Sequence, residues 1–153
     1  MVQPTPLRAP ELVCPAGTPS SLRTAVDAGA DTVYCGFQNA TNARNFPGLN
    51  FTVRELAESV AYAHRKGAKV LLALNTFPPA GRAALWHEAA AEGIACGVDA
   101  FIIADIGVAD FLRRHRPEQR LHLSVQAGAS SVEAVRFYCE EFGVSRVVLP
   151  RIL

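Results

Sequence analysis

Four times along the chain, a helix-like stretch ends in glycine, two or three residues follow, and a short apolar run begins. The four are Gly29 (GADTVYCG), Gly67 (GAKVLLALN), Gly97 (GVDAFIIAD) and Gly143 (GVSRVVLPR). Their spacing of about 30 to 46 residues is that of one strand-helix unit. Glycine just past a helix tolerates the left-handed backbone that ends it. Strict alternation of strand and helix leaves few choices: the sheet must be parallel, with helices as its connections.

The helix starts agree. Thr18-Pro19 offers an N-cap followed by proline at the first helical position. Thr52 with Glu55, and Ser130 with Glu133, read as capping boxes. Behind them Leu22, Ala25 and Val26, then Leu56, Val60 and Ala63, then Val135, Tyr138 and Phe142, recur at helical spacing. The expected strands are Glu11–Cys14, Thr32–Gly36, Lys69–Asn75, Ala100–Asp105, Leu121–Gln126 and Arg146–Leu149. Five helices are expected near 19–28, 52–66, 80–95, 106–116 and 130–142.

A doubly wound sheet and a barrel both fit this order. The first turn, CPAGTP, lacks the G-x-G-x-x-G phosphate loop, which counts against a dinucleotide-binding domain. The fifth strand, LHLSVQAG, favours the barrel. Leu121, Leu123 and Val125 alternate there with His122, Ser124 and Gln126, whereas a strand covered on both faces should be apolar on both. The polar set should face a lumen and the apolar set the helices. Six strands are two short of the usual eight. The expected fold is therefore α/β: an incomplete parallel (β/α) barrel of TIM type, strands in sequential order, helices on one side. Residues 11–153 would form the N-terminal part of that barrel, and residues 1–10 a disordered or extended segment. The first and last strands would be open edges, which tend to recruit another chain.

Composition excludes several classes. Half of the 153 residues are apolar and 19% are charged, as in ordinary globular domains. The net charge of +1 suggests neither a nucleic-acid groove nor a polybasic membrane anchor. The one basic cluster, Arg113, Arg114, His115 and Arg116, suits the solvated C-terminal turn of a helix. No apolar run approaches a membrane span, and MVQPTPLRAP has no signal-peptide core. A cytoplasmic protein is expected. Cys14, Cys35, Cys96 and Cys139 form no C-x-x-C pair and read as buried free thiols.

In parallel α/β proteins the chemistry lies at the C-terminal strand ends. These ends carry Asn75, Asp105, Ser124, Gln126 and Arg151. The second strand adds a long loop, TNARNFPGLNF, with Asn42 and Arg44 expected to meet the ligand and Phe46, Leu49 and Phe51 to anchor it. One carboxylate, two arginines and several amides or hydroxyls suit a small polar or anionic ligand. Asp105 has an alternative as cap of the helix at Ile106, Asn75 as a turn residue, and Arg151 as a surface residue. The four histidines lack metal-ligand spacing, and His122 reads as a packed, lumenal residue. No hydrolase or metalloprotease signature occurs, and Ser124 has no evident base.

ELVCPAGTPSSLRTAVDAGADTVYCG, TNARNFPGLNFT, LALNTFP, SVQAGASSVEAVRFY and GVSRVVLPRIL together resemble the collagenase-like peptidase family, family 32 of peptidase class U. The likeness runs from about Glu11 to Leu153 and leans towards the family's ubiquinone-biosynthesis branch. It implies a component of oxygen-independent hydroxylation of the ubiquinone ring precursor, working with a UbiV-like paralogue as a heterodimer. It implies a [4Fe-4S] cluster for a longer parent protein, on cysteines this chain lacks, so no cofactor is expected here. The implied substrate is a small polar or aromatic acid. A peptidase, as the family name suggests, and a non-catalytic scaffold subunit are the alternatives.

Overall fold

The computed structural model describes residues 9–151. The expectation of a disordered or extended N-terminal segment falls, for residues 1–8, outside the described residues. Six strands alternate with five helices: β1 (Val13–Pro15), α1 (Pro19–Asp27), β2 (Thr32–Gly36), α2 (Val53–Arg65), β3 (Lys69–Leu74), α3 (Ala84–Cys96), β4 (Ala100–Ile103), α4 (Ile106–His115), β5 (Arg120–Leu123), α5 (Val132–Phe142) and β6 (Val144–Val147). The strands form one parallel sheet in sequential order, as a (β/α) barrel requires.

Side-chain alternation divides the sheet into two faces. Val33 and Cys35, Val70, Leu72 and Leu74, Phe101 and Ile103, and Leu121 and Leu123 are buried in the main core. They meet Leu22, Val26, Leu56, Val60, Ala63, Trp86, Ala90, Val108 and Leu112 from the helices. Tyr34, Leu71, Ala73, Ile102 and His122 take the other parity and line a lumen. Each helix packs on the next, so the helices form a single layer outside the sheet. The Arg146 guanidinium of β6 pairs with the Glu11 carboxylate just before β1, so the sheet curls far enough to bring its two ends together.

The caps follow the sequence in detail. Thr52 and Glu55 exchange capping-box bonds, and Thr18 does the same with Ser21 ahead of Pro19. All four repeat glycines have positive φ, and Gly97 and Gly143 are the left-handed residues that end α3 and α5.

Several boundaries differ from expectation. The β5 strand stops at Leu123 because the Ser124 hydroxyl accepts the Gln126 N–H and draws the chain into a 3₁₀ turn, Val125–Ala127. Gln126 is therefore on a turn, and Val125 is exposed beside the lumen instead of packing on helices. The β6 strand begins two residues early, since Val144 enters the sheet directly after Gly143. Its pairing with β5 then slips between Leu121 and His122. The α3 helix starts late, at Ala84, because a turn closed by the Arg82 N–H on the Pro79 carbonyl takes up the preceding residues. The N-cap of α5 is Ser131 rather than Ser130. Strands β1, β3 and β4 occupy Val13–Pro15, Lys69–Leu74 and Ala100–Ile103 rather than the ranges expected.

The thiols are not uniformly buried. Cys35 is buried, Cys14 and Cys96 are half-buried, and Cys139 is exposed on α5. Burial pushes the Cys35 thiol up to about 12, so it is no nucleophile at neutral pH. Among the described residues no helix is long and apolar enough to cross a membrane.

Candidate functional site

At the C-terminal ends of the strands, the long loop after β2 is closed at its base. Phe37 and Phe51 form a parallel bridge, and both rings are buried. Gly36 is the close-approach point: a Cβ there would lie 2.2 Å from Asn42 Nδ2. Asn42 is buried against it, donating from Nδ2 to Asn50 Oδ1 at 2.9 Å and accepting the Arg44 N–H at 3.0 Å.

Asn50 is the hub. It holds φ 77°, rare for a residue other than glycine. Its Nδ2 donates to the Arg44 carbonyl at 2.8 Å, and its N–H to the Gly17 carbonyl at 2.6 Å. Asn75 ties the loop to β3 by accepting the Ala43 N–H at 3.0 Å. Thr76 ties it to α3, donating to the Ala40 carbonyl while accepting from Trp86 Nε1. Asn50→Ala should cost about 2 kcal/mol in urea unfolding, since it strains the backbone and orphans Asn42. Asn50→Gly keeps the left-handed backbone and should cost roughly 1 kcal/mol less.

Held in this way, the loop walls a cavity of about 460 Å³. Phe46 and Leu49 line its rim and are exposed, so of the three apolar residues expected to anchor the loop only Phe51 does so. The Arg44 guanidinium is exposed at the rim, 3.5 Å from the Tyr34 phenol, and has no carboxylate partner among the described residues. Gln126, on its turn, and the buried Ser124 complete the wall on the β5 side.

Of the expected residues, Asn42, Arg44, Asn75, Ser124 and Gln126 meet at this one cavity. Two do not. Asp105 caps α4, its Oδ1 accepting the Val108 N–H at 2.9 Å, and does not line the cavity. Arg151 is exposed and also lies away from it. Asn42 reaches the cavity, yet its side chain is already spent on the loop.

The sequence reading missed Tyr34, Arg146 and Asn50. Tyr34 was legible from parity, since it alternates with the core residues Val33 and Cys35, whereas Arg146 was not, because the core residue Val144 stands two positions before it. The left-handed Asn50 had no signal beyond its place after a glycine-leucine pair.

Deeper, His122 lines both the mouth cavity and a second cavity of about 450 Å³ at the N-terminal ends of the strands. Burial, then the charges of Arg146 and Arg120, lower its pKa to about 4, so it is neutral at pH 7. Hydrogen bonds first from Thr32 and then from Arg146 hold Glu11 below the usual carboxylate range.

An iron-sulfur cluster does not fit these residues. The thiols come from β1, β2, α3 and α5, with Cys35 in the core and Cys139 at the surface. No group of three or more His, Cys, Asp or Glu side chains converges among the described residues, whereas a cluster needs four thiolates around one cage.

A parallel sheet in sequential order, one helical layer and a walled cavity at the C-terminal strand ends define a partial (β/α) barrel with a cavity at its mouth. The chain belongs to Peptidase family U32, whose profile matches residues 17–153. It is 36% identical over 152 residues to tRNA hydroxylation protein P1 of Bacillus subtilis (strain 168), covering 94% of this chain and 33% of that protein. It is 34% identical over 146 residues to the 23S rRNA 5-hydroxycytidine C2501 synthase of Escherichia coli (strain K12), covering 94% and 21%. The chain thus spans about a third or less of these curated relatives. The solved U32 peptidase Mk0906 superposes with a TM-score of 0.71 at 16% identity, over 97% of this chain and 62% of that one, a likeness of fold. The family expected from the motifs is therefore correct. The lean towards its ubiquinone branch gains nothing from these relatives, whose names point to RNA hydroxylation.

Proposed function

We propose that this chain is the ligand-holding part of a protein for oxygen-independent ring hydroxylation. The observation that carries this is the mouth cavity, within the volume range of small-molecule sites, with an arginine lacking a carboxylate partner at its rim and a mostly apolar wall. The hydroxylation names of its relatives support the reaction class. The substrate is a small aromatic acid of the ubiquinone ring-precursor type, and a UbiV-like paralogue is the heterodimer partner. A nucleoside ring in RNA is the second reading, favoured by the relatives' names. Peptidase chemistry has less support: Ser124 Oγ is engaged with the Gln126 N–H, and no serine or cysteine is hydrogen-bonded to a histidine among the described residues.

Arg44 supplies a planar fork of donors for a carboxylate. Gln126 can both donate and accept at the opposite wall. In anaerobic complementation with the full protein, Arg44→Ala and Gln126→Ala should each lower the hydroxylated product at least about tenfold, about 1.4 kcal/mol of transition-state stabilisation. Melting should move by less than about 2 °C, since neither side chain is buried. Mass spectrometry of quinones and of RNA nucleosides from the same cells identifies the substrate. Full product of both kinds in both variants would return the chain to a scaffold role.

A further inference from the structure

The floor of the mouth cavity differs from its rim. His122 is 7% exposed and makes no side-chain hydrogen bond among the described residues. Both of its ring nitrogens nevertheless retain access to the lumen, since among the described residues no buried side-chain nitrogen or oxygen lacks a partner. Ring nitrogens open to a cavity and unpartnered within the protein are free to bond whatever occupies it. Of the two arginines whose charge reaches it, Arg146 is already matched by Glu11, and Arg120 lines the second cavity and not the mouth. Among the described residues lining the mouth, the cation without a carboxylate partner is Arg44, at the rim. Leu71, Ala73 and Ile102, the last paired with His122 in the sheet register, line the same cavity and offer only apolar contact.

Charge at the rim, an apolar middle and a neutral hydrogen-bonding group at the floor describe a ligand by its parts. We propose that His122 is a positioning residue: its imidazole hydrogen-bonds an uncharged oxygen on the inner edge of a ring, a hydroxyl or carbonyl, while the ring's anionic substituent stays at Arg44. An anion at this floor would meet no free donor fork in the mouth cavity, whose inner arginine, Arg146, is paired with Glu11. A ring with no polar inner edge would leave the imidazole unsatisfied, and loss of such a buried bond discriminates strongly between otherwise similar ligands. This rests on the ring-hydroxylation reading of the mouth cavity and adds which ring edge points inward.

The test uses two probes, 4-hydroxybenzoate and benzoate, which differ only in the hydroxyl opposite the carboxylate. Calorimetric titration of the full chain should give 4-hydroxybenzoate at least about tenfold tighter binding. In nitrogen-resolved NMR the His122 ring signals should move with 4-hydroxybenzoate and stay in place with benzoate. His122→Leu should bring the two affinities within about twofold, and His122→Gln should restore part of the difference. Arg44→Ala should weaken both probes alike. Equal affinities in the unaltered protein, with benzoate binding still dependent on Arg44, would overturn the His122 subsite and leave the mouth reading standing. Binding of neither probe would overturn both. The NMR arm decides the matter on the unaltered chain even if the variants fold poorly.

Discussion

Phe101→Ala is expected to remove about 3–5 kcal/mol of stability, the range for deleting a buried ring from a packed core. The ring is fully buried on β4, between Leu72 of β3 and Leu121 of β5 in the sheet register. The α3 helix lies directly on it at Gly93, where a Cβ would sit 2.8 Å from Phe101 Cε1 and 2.6 Å from Leu72 Cδ2. A helix approaching so closely cannot settle far into the hole left by the ring, so most of the cavity should persist. For a chain of this size the melting temperature should fall by roughly 10–15 °C. Urea unfolding of the purified chain measures it. A loss below about 1 kcal/mol would mean that α3 is not seated on β4 as described. Gly93→Ala approaches the same contact from the other side: overpacking should outweigh the better helix propensity and destabilise the chain modestly.

That contact also shows why the fold was legible. Phe101 and Ile103 alternate with Ala100 and Ile102, and Gly97 marks the helix end just before them. Capping residues, repeat glycines and alternation all pointed to the same sheet order, and agreement among local signals is what makes a sequence specify one fold. The boundaries failed where a side chain competed with the regular backbone. Ser124 turns its hydroxyl on the Gln126 N–H, so an alternating pattern that reads as strand through Gln126 ends three residues sooner. The slipped pairing of β6 likewise depends on how far the sheet curls, and period-two alternation carries no information on that.

The site was legible in part for a related reason. Strand parity fixes which residues see the lumen, so Asn75 and Ser124 were found and Tyr34 could have been. Parity does not say which polar groups are already satisfied. Asn42 and Arg44 stand two apart in one loop, yet the first is spent holding that loop and the second is free at the rim. The difference arises from Asn50, whose left-handed backbone lets it bond both Asn42 and the Arg44 carbonyl. Asp105 takes the alternative the sequence also allowed: its carboxylate caps the helix N-terminus beside it.

Stability should fall as the pH drops from about 6.5 towards 4, and His122 should be the main cause. The folded chain holds this imidazole at a pKa of about 4, while the unfolded chain titrates near 6.5. Between those values the unfolded state binds the extra proton, so unfolding is favoured as pH falls. The contribution is fully present above about 6.5, amounts to about 3 kcal/mol, and is exhausted once the folded imidazole also protonates. The groups facing it explain the depression. Burial is the largest, Arg146 and Arg120 add like charge, and Glu11 opposes them. Glu11 is itself held low, by Thr32 first and then Arg146. Its contribution is present above its ordinary pKa near 4.5 and is lost only as pH falls below that, in a lower window. The two are therefore separable. Urea midpoints taken at half-unit steps from pH 7.5 to 3.5 should show a slope between 6.5 and 4.5 that His122→Leu removes and Glu11→Gln leaves in place. A variant at His122 with an unchanged slope would place the responsible proton elsewhere, and would mean that the lumen floor is wet enough to accept a charged imidazole.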